Sequence, residues 1–174
     1  YGKEPDFDFH KDGSQGKIKL KYKDQKHKFK SLRRKGCHSQ IFITDKIPVD
    51  LDVDGGVVDM VLDLSELNIP SLDIDSGVSN LMVRFGSKSR HINATFDIGV
   101  SDLAIYIPEG TAVRLHKDTG LASVSYKDLG LKKIRKHLYE SPGYDTAERT
   151  IDIDLDAGVS DIDLEYYDSG RAEL

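Results

Sequence analysis

Apolar residues along this chain alternate with polar ones in short runs, and the runs come in pairs around a glycine. The clearest pair is Thr95-Phe96-Asp97-Ile98-Gly99-Val100-Ser101-Asp102-Leu103-Ala104-Ile105-Tyr106-Ile107. Before each such glycine the apolar positions stand three, five and often seven residues back, as Phe96, Ala94 and Ile92 do before Gly99. After it they stand at plus one, plus four and plus six, as Val100, Leu103 and Ile105 do. Strict alternation predicts half-buried β-strands on both sides of the glycine, not helices. Between plus one and plus four the phase slips by a residue, which predicts a bulge or arc. Gly tolerates the positive φ that such a bend calls for. The slip returns the second strand's apolar face, plus-one residue included, to the side of the first.

The phrase recurs. Its glycines are Gly56, Gly77, Gly99, Gly120 and Gly158, separated by 21, 22, 21 and 38 residues. A fixed period near 21 marks a repeat architecture, and the last gap holds one more period plus an insertion. A single strand pair cannot bury its greasy face alone, whereas stacked pairs share one core. The predicted fold is therefore all-β: a single-sheeted, right-handed β-helix or solenoid-like stack of about five two-stranded repeats. The predicted organisation is a lead-in over 1–16, one β-repeat domain over 17–167 and a tail over 168–174. Within the domain, 17–47 are basic N-terminal strands, 48–128 four Gly-centred repeats, 129–150 a loop insertion and 151–167 the fifth repeat.

Outside the repeats the patterns are shorter. Lys17-Ile18-Lys19-Leu20-Lys21-Tyr22-Lys23 alternates, with Ile18, Leu20 and Tyr22 on one face and four lysines on the other. Asp24-Gln25 then reads as a turn and 26–32 as a return strand. This is an edge hairpin guarded by lysines; the alternative is an anion- or lipid-facing surface. Gln40-Ile41-Phe42-Ile43 reads as a further strand. The insertion carries Lys132, Lys133, Arg135 and Lys136 close together, a solvated loop in the plain reading and a protein or lipid contact in the other.

Composition narrows the class. A length of 174 residues fits one domain, and 38% hydrophobic against 32% charged residues, with no Trp, suits a thin core under a large wetted surface. No apolar run approaches the ~18 residues of a membrane span. The chain opens at Tyr1 with neither Met nor a signal-like apolar stretch, which reads as an excised or processed fragment. Cys37 is alone, so neither an internal disulfide nor a thiolate zinc cluster forms within the chain. Residues 1–47 carry a net +7 and residues 48–174 a net −12, together the −5 of the whole. A basic end on an acidic body seeks anionic partners, lipid headgroups included. Nucleic acid is not expected, because no stacking aromatics accompany the lysines.

Two residues before each glycine stands an acid: Asp54, Asp75, Asp97, Asp118 and Asp156. Three after it come Asp59, Asn80, Asp102 and Asp161. Bound calcium is one reading. The other is Asx-type bonding to neighbouring backbone amides that holds the arc, and the absence of a nine-residue Gly-rich calcium repeat favours it. No metal or other cofactor is expected. No nucleophile elbow, phosphate-cradling loop, His-Glu-x-x-His or paired-Cys motif is present, and the six histidines are scattered singly. The chain reads as non-enzymatic.

Several phrases in order resemble a known family: Pro48-Val49-Asp50-Leu51-Asp52-Val53-Asp54-Gly55-Gly56; Leu62-Asp63-Leu64-Ser65 through Leu72-Asp73-Ile74; the Gly-Val-Ser-Asp phrases; and Ser141-Pro142-Gly143-Tyr144-Asp145-Thr146-Ala147 before Ile151-Asp152-Ile153. Together, over roughly 40–167, they look like the toastrack β-repeat domains. These include the C-terminal domain of LiaF-type cell-wall-active-antibiotic response proteins, PspC-associated domains and adhesin-like relatives. The first 40 residues depart from the pattern, with lysine-rich strands in place of the usual glycine-rich opening. The resemblance implies a rack of short strands tethered to a membrane through a segment outside this chain, with the extracytoplasmic side favoured. It also implies a non-catalytic role in bacterial envelope-stress sensing, with a membrane sensor kinase or another envelope protein as partner. A surface adhesin-like or scaffolding module and an anionic-lipid binder are the alternatives.

Overall fold

A computed structural model describes residues 6–12, 15–21 and 40–170. They fall into two compact units that divide between Phe42 and Ile43. In the first, β1 (Asp6–Asp12) pairs antiparallel with β2 (Gln15–Lys21). The lysine-rich strand thus finds its partner upstream, inside the expected lead-in; the expected return strand over 26–32 lies outside the described residues. Gln40 to Ile43 takes no regular structure, contrary to the strand expected there.

The second unit is built from the repeats. Each is one continuous strand spanning its glycine: β3 (Pro48–Leu64), β4 (Asn68–Phe85), β5 (His91–Pro108), β6 (Ala112–Ser125) and β9 (Thr150–Tyr167). Equivalent positions pair in parallel, for example Asp75 with Asp97 and Val100 with Val159. A straight strand of this length would run ~55 Å. Yet only Ser65 to Leu67 join the end of β3 to the start of its parallel neighbour β4, and such a link spans no more than ~15 Å. Each strand must therefore double back at its glycine, so that one repeat makes one coil of a solenoid. Side chains one period apart consequently touch: Asn80 Nδ2 donates to Asp59 Oδ1 at 2.8 Å, the Ser79 and Ser101 hydroxyls bond at 3.0 Å, and Ser89 Oγ donates to Asn68 Oδ1 at 2.7 Å.

With β7 at Lys132–Arg135 and β8 at Leu138–Glu140, the sheet order is β3-β4-β5-β9-β6-β8-β7. The fifth repeat is thus inserted between the third and fourth. Backbone bonds lock it there at the coil ends, with Thr150 N donating to Arg90 O and Ala112 N to Arg149 O, both at 2.9 Å. The expected loop insertion thus contains two short antiparallel strands, β7 and β8, of which β8 pairs with β6.

Inside the coils the rows at minus three, minus five, plus four and plus six form one core. Ile74, Phe96 and Leu155 from the first halves and Val83 and Ile105 from the second are fully buried. The plus-one row departs from expectation. Val57, Val78, Val100, Val159 and Leu121 point outward, with Val100 still 51% exposed and Leu121 83%. The plus-two serines Ser79, Ser101 and Ser160 are buried instead. The glycine and its successor both face out, and this turns the chain.

The glycines owe their identity to a different cause from the one expected. Positive φ occurs at Gly110, Gly130 and Gly143, not at the five repeat glycines. What excludes a side chain is the adjacent coil: a Cβ on Gly99 would stand 2.5 Å from the Gly77 carbonyl oxygen, and one on Gly158 2.5 Å from that of Gly99.

The inward and outward rows differ in what truncation costs. Leu103→Ala, in the core, is expected to lose about 2–5 kcal/mol. Val100→Ser, on the outer row, should stay within about 0.5 kcal/mol. Denaturant unfolding of both variants checks this, and a comparable loss at Val100 would place the plus-one row in the core.

Candidate functional site

Parallel pairing in register turns each repeated residue into a row crossing the sheet, one side chain per coil and ~4.8 Å apart. Around the tip of the coils three outward rows run side by side. The first holds Asp54, Asp75, Asp97, Asp156 and Asp118, all exposed. The second is the aliphatic row from Val57 to Leu121. The third holds Asp59, Asn80, Asp102, Asp161 and Ser123, also exposed.

Among the described residues none of the five aspartates of the first row accepts a bond from a backbone amide, contrary to the Asx-type role expected of them. They stand in solvent. Like charges ~5 Å apart in water repel by about 0.8 kcal/mol per neighbouring pair, so this row costs the fold something. Nor do the described residues contain a group of three or more His, Cys, Asp or Glu side chains placed to hold one metal ion.

Between the second and third rows runs a groove of about 300 Å³ crossing β4, β5, β9 and β6. Val78, Val100, Val159 and Leu121 form its apolar wall, Asn80, Asp102 and Asp161 the polar one, and Ser79, Ser101 and Ser160 line it between them. Ser79 and Ser101 satisfy each other. Ser160 Oγ is buried without a partner.

A second cluster anchors the insertion. Arg114 on β6 donates through Nε to Glu140 Oε1 at 2.8 Å and stacks 4.0 Å above the Tyr144 ring. The Tyr144 hydroxyl donates to the Asp152 carboxylate on β9. Ser141 bonds Val113 twice at 2.8 Å, accepting through Oγ and donating through its amide. The Ser141-Pro142-Gly143-Tyr144 phrase thus ties the insertion to the two coils beneath it. Burial, reinforced by the bond to Asp152, pushes the Tyr144 hydroxyl up to about 12.

The basic positions separate. Lys132, Lys133 and Arg135 lie exposed along β7, the sheet's edge strand, with Lys136 in the following turn. They form an edge rather than the loop expected, a placement that guards against strand addition. Lys17, Lys19 and Lys21 alternate along β2, while Lys23 lies outside the described residues. Sequence spacing gave no sign of one further pairing: the rings of His116 and His137 approach to 6.4 Å, with His116 Nδ1 3.0 Å from Asp154 Oδ1.

The fold defines a class: a parallel β-repeat module of solenoid coils that presents continuous rows of side chains. Within it the chain belongs to the toastrack family, since the model of the N-terminal domain of toast_rack, DUF2154, matches residues 2–106. The match takes in the first 40 residues, which the sequence set apart from the family pattern. A solved structure of a "putative cell adhesion protein" from Clostridium sporogenes is similar in fold, with a TM-score of 0.79 at 19% identity over 94% of this chain and 76% of that one. Among curated proteins no significant sequence match was found.

The Tyr144 shift carries a pH dependence. An unfolded tyrosine ionises near its ordinary value of 10, while the folded hydroxyl holds its proton to about 12. Stability is thus full below pH 10 and declines between pH 10 and 12, where the unfolded chain releases the proton first. Unfolding measured across that window should show the decline, and Tyr144→Phe should make it smaller. An identical slope in the variant would contradict the assignment.

Proposed function

We infer that this domain is the non-enzymatic, partner-binding part of a membrane-anchored bacterial regulator of the envelope-stress, cell-wall-antibiotic response. Its partner would be a membrane sensor kinase or another envelope protein, its anchor a segment outside this chain, and its own place the extracytoplasmic side of the membrane. Family membership supports the reading. The single observation that carries it is the unburied aliphatic row from Val57 to Leu121, five residues wide and edged by charge. Contiguous outward apolar surface rimmed by polar residues marks interaction sites.

A second reading, a surface adhesin-like or scaffolding module, is favoured by the described identity of the Clostridium sporogenes protein with the same fold. A third, polyanion or anionic-lipid binding through the lysine-rich stretch 17–30, predicts liposome affinity that falls with salt.

Capture experiments on solubilised bacterial membranes separate these readings. The immobilised chain should retain a sensor kinase or another integral membrane protein reproducibly. Retention of lipid alone would contradict the regulator reading, and binding to intact cells without a membrane-protein partner would favour adhesion.

A further inference from the structure

The partner-binding reading leaves open which surface is used and what chemistry it recognises, and the groove across the coil tips narrows both. We propose that this groove binds a basic peptide segment of the partner protein, one in which Lys or Arg alternates with aliphatic residues. The inference deepens the proposed function and rests on it.

Three observations converge. The two walls differ in character: Val100 and Val159 offer aliphatic surface, while Asp102 and Asp161 stand one coil apart on the other side. A lysine or arginine fits both, its methylene stem along the valines and its cationic head at the carboxylates. Neither aspartate takes part in an ion pair among the described residues.

Ser160 is the second, independent observation. It is 6% exposed, lines the groove, and its Oγ lacks the hydrogen bond that Ser79 and Ser101 share. Buried hydroxyls are normally satisfied; this one has almost no exposed surface of its own, so its side chain must turn toward the groove for a ligand's donor or acceptor to complete it. The third is Asn80, which occupies the same row in β4 and shows that the fold accepts a neutral amide there. Adjacent carboxylates at Asp102 and Asp161 are therefore not a requirement of the coil. They cost repulsion, which a bound cation offsets.

The probe is a fluorescently labelled synthetic peptide of alternating Lys and Val, titrated into the full chain at low ionic strength. It should bind, and D102N/D161N should weaken it about tenfold, as two exposed ion pairs would. E109Q/D128N makes the same change in net charge at exposed positions away from the groove and should stay within about twofold. Ser160→Ala should leave the unfolding midpoint in place and weaken binding several-fold. Equal weakening by both double variants would reduce the interaction to net charge and overturn the groove. Displacement of the peptide by spermidine at equal affinity would assign the groove to a small polyamine instead. Should D102N/D161N still capture the membrane partner, the groove falls while the function stands. Should no membrane protein be captured while the peptide series holds, the reverse is true.

Discussion

The structure depends on how closely neighbouring backbones approach at the coil tips. Four of the five repeat glycines have a carbonyl oxygen of the adjacent coil where a side chain would begin, at 2.5 to 3.0 Å. A real Cβ does not tolerate such contact without displacement, so the coils stack only where this position is bare. The direction is constant: Gly77 rests on Gly56, Gly99 on Gly77, Gly158 on Gly99 and Gly120 on Gly158. Gly56, on the outermost of the described coils, meets nothing within 4 Å. A constant stacking vector keeps every residue opposite its counterpart one repeat away.

That register turns a sequence repeat into a surface. Within the coil it aligns Ile74, Phe96 and Leu155, whose burial supplies the driving force. Outside it aligns carboxylates with carboxylates and valines with valines, at some electrostatic cost. The insertion between β6 and β9 does not disturb the stack because Arg114, Tyr144 and Ser141 anchor it to the edges of the coils it leaves and rejoins. The rows at the tips remain uncovered among the described residues and supply the surface that a partner would read.

Much of the architecture was legible in the residues. Ile153, Leu155, Ile162 and Leu164 keep the alternation that water exclusion imposes, and the 21-residue period announced the coils. The purpose of the glycines was not legible, because positive φ and close approach select the same residue. Val100 misled for a related reason: an aliphatic side chain next to a glycine looks the same whether it packs inward or stands at a tip. The position of β9 was hidden because every coil offers the same register to every other, so sequence order does not dictate stacking order. The groove lay beyond reach altogether. Asp102 and Asp161 are 59 residues apart, and only the insertion of β9 beside β5 brings them together.

One comparison tests the stacking constraint directly: the unfolding free energies of Gly99→Ala and Gly56→Ala. With a carbonyl in the way, Gly99→Ala should lose about 1–3 kcal/mol through overpacking. Gly56→Ala has open space and should be neutral or gain up to about 1 kcal/mol from reduced chain entropy. Equal losses at both positions, or a tolerated Gly99→Ala, would contradict backbone contact as the reason these coils stack.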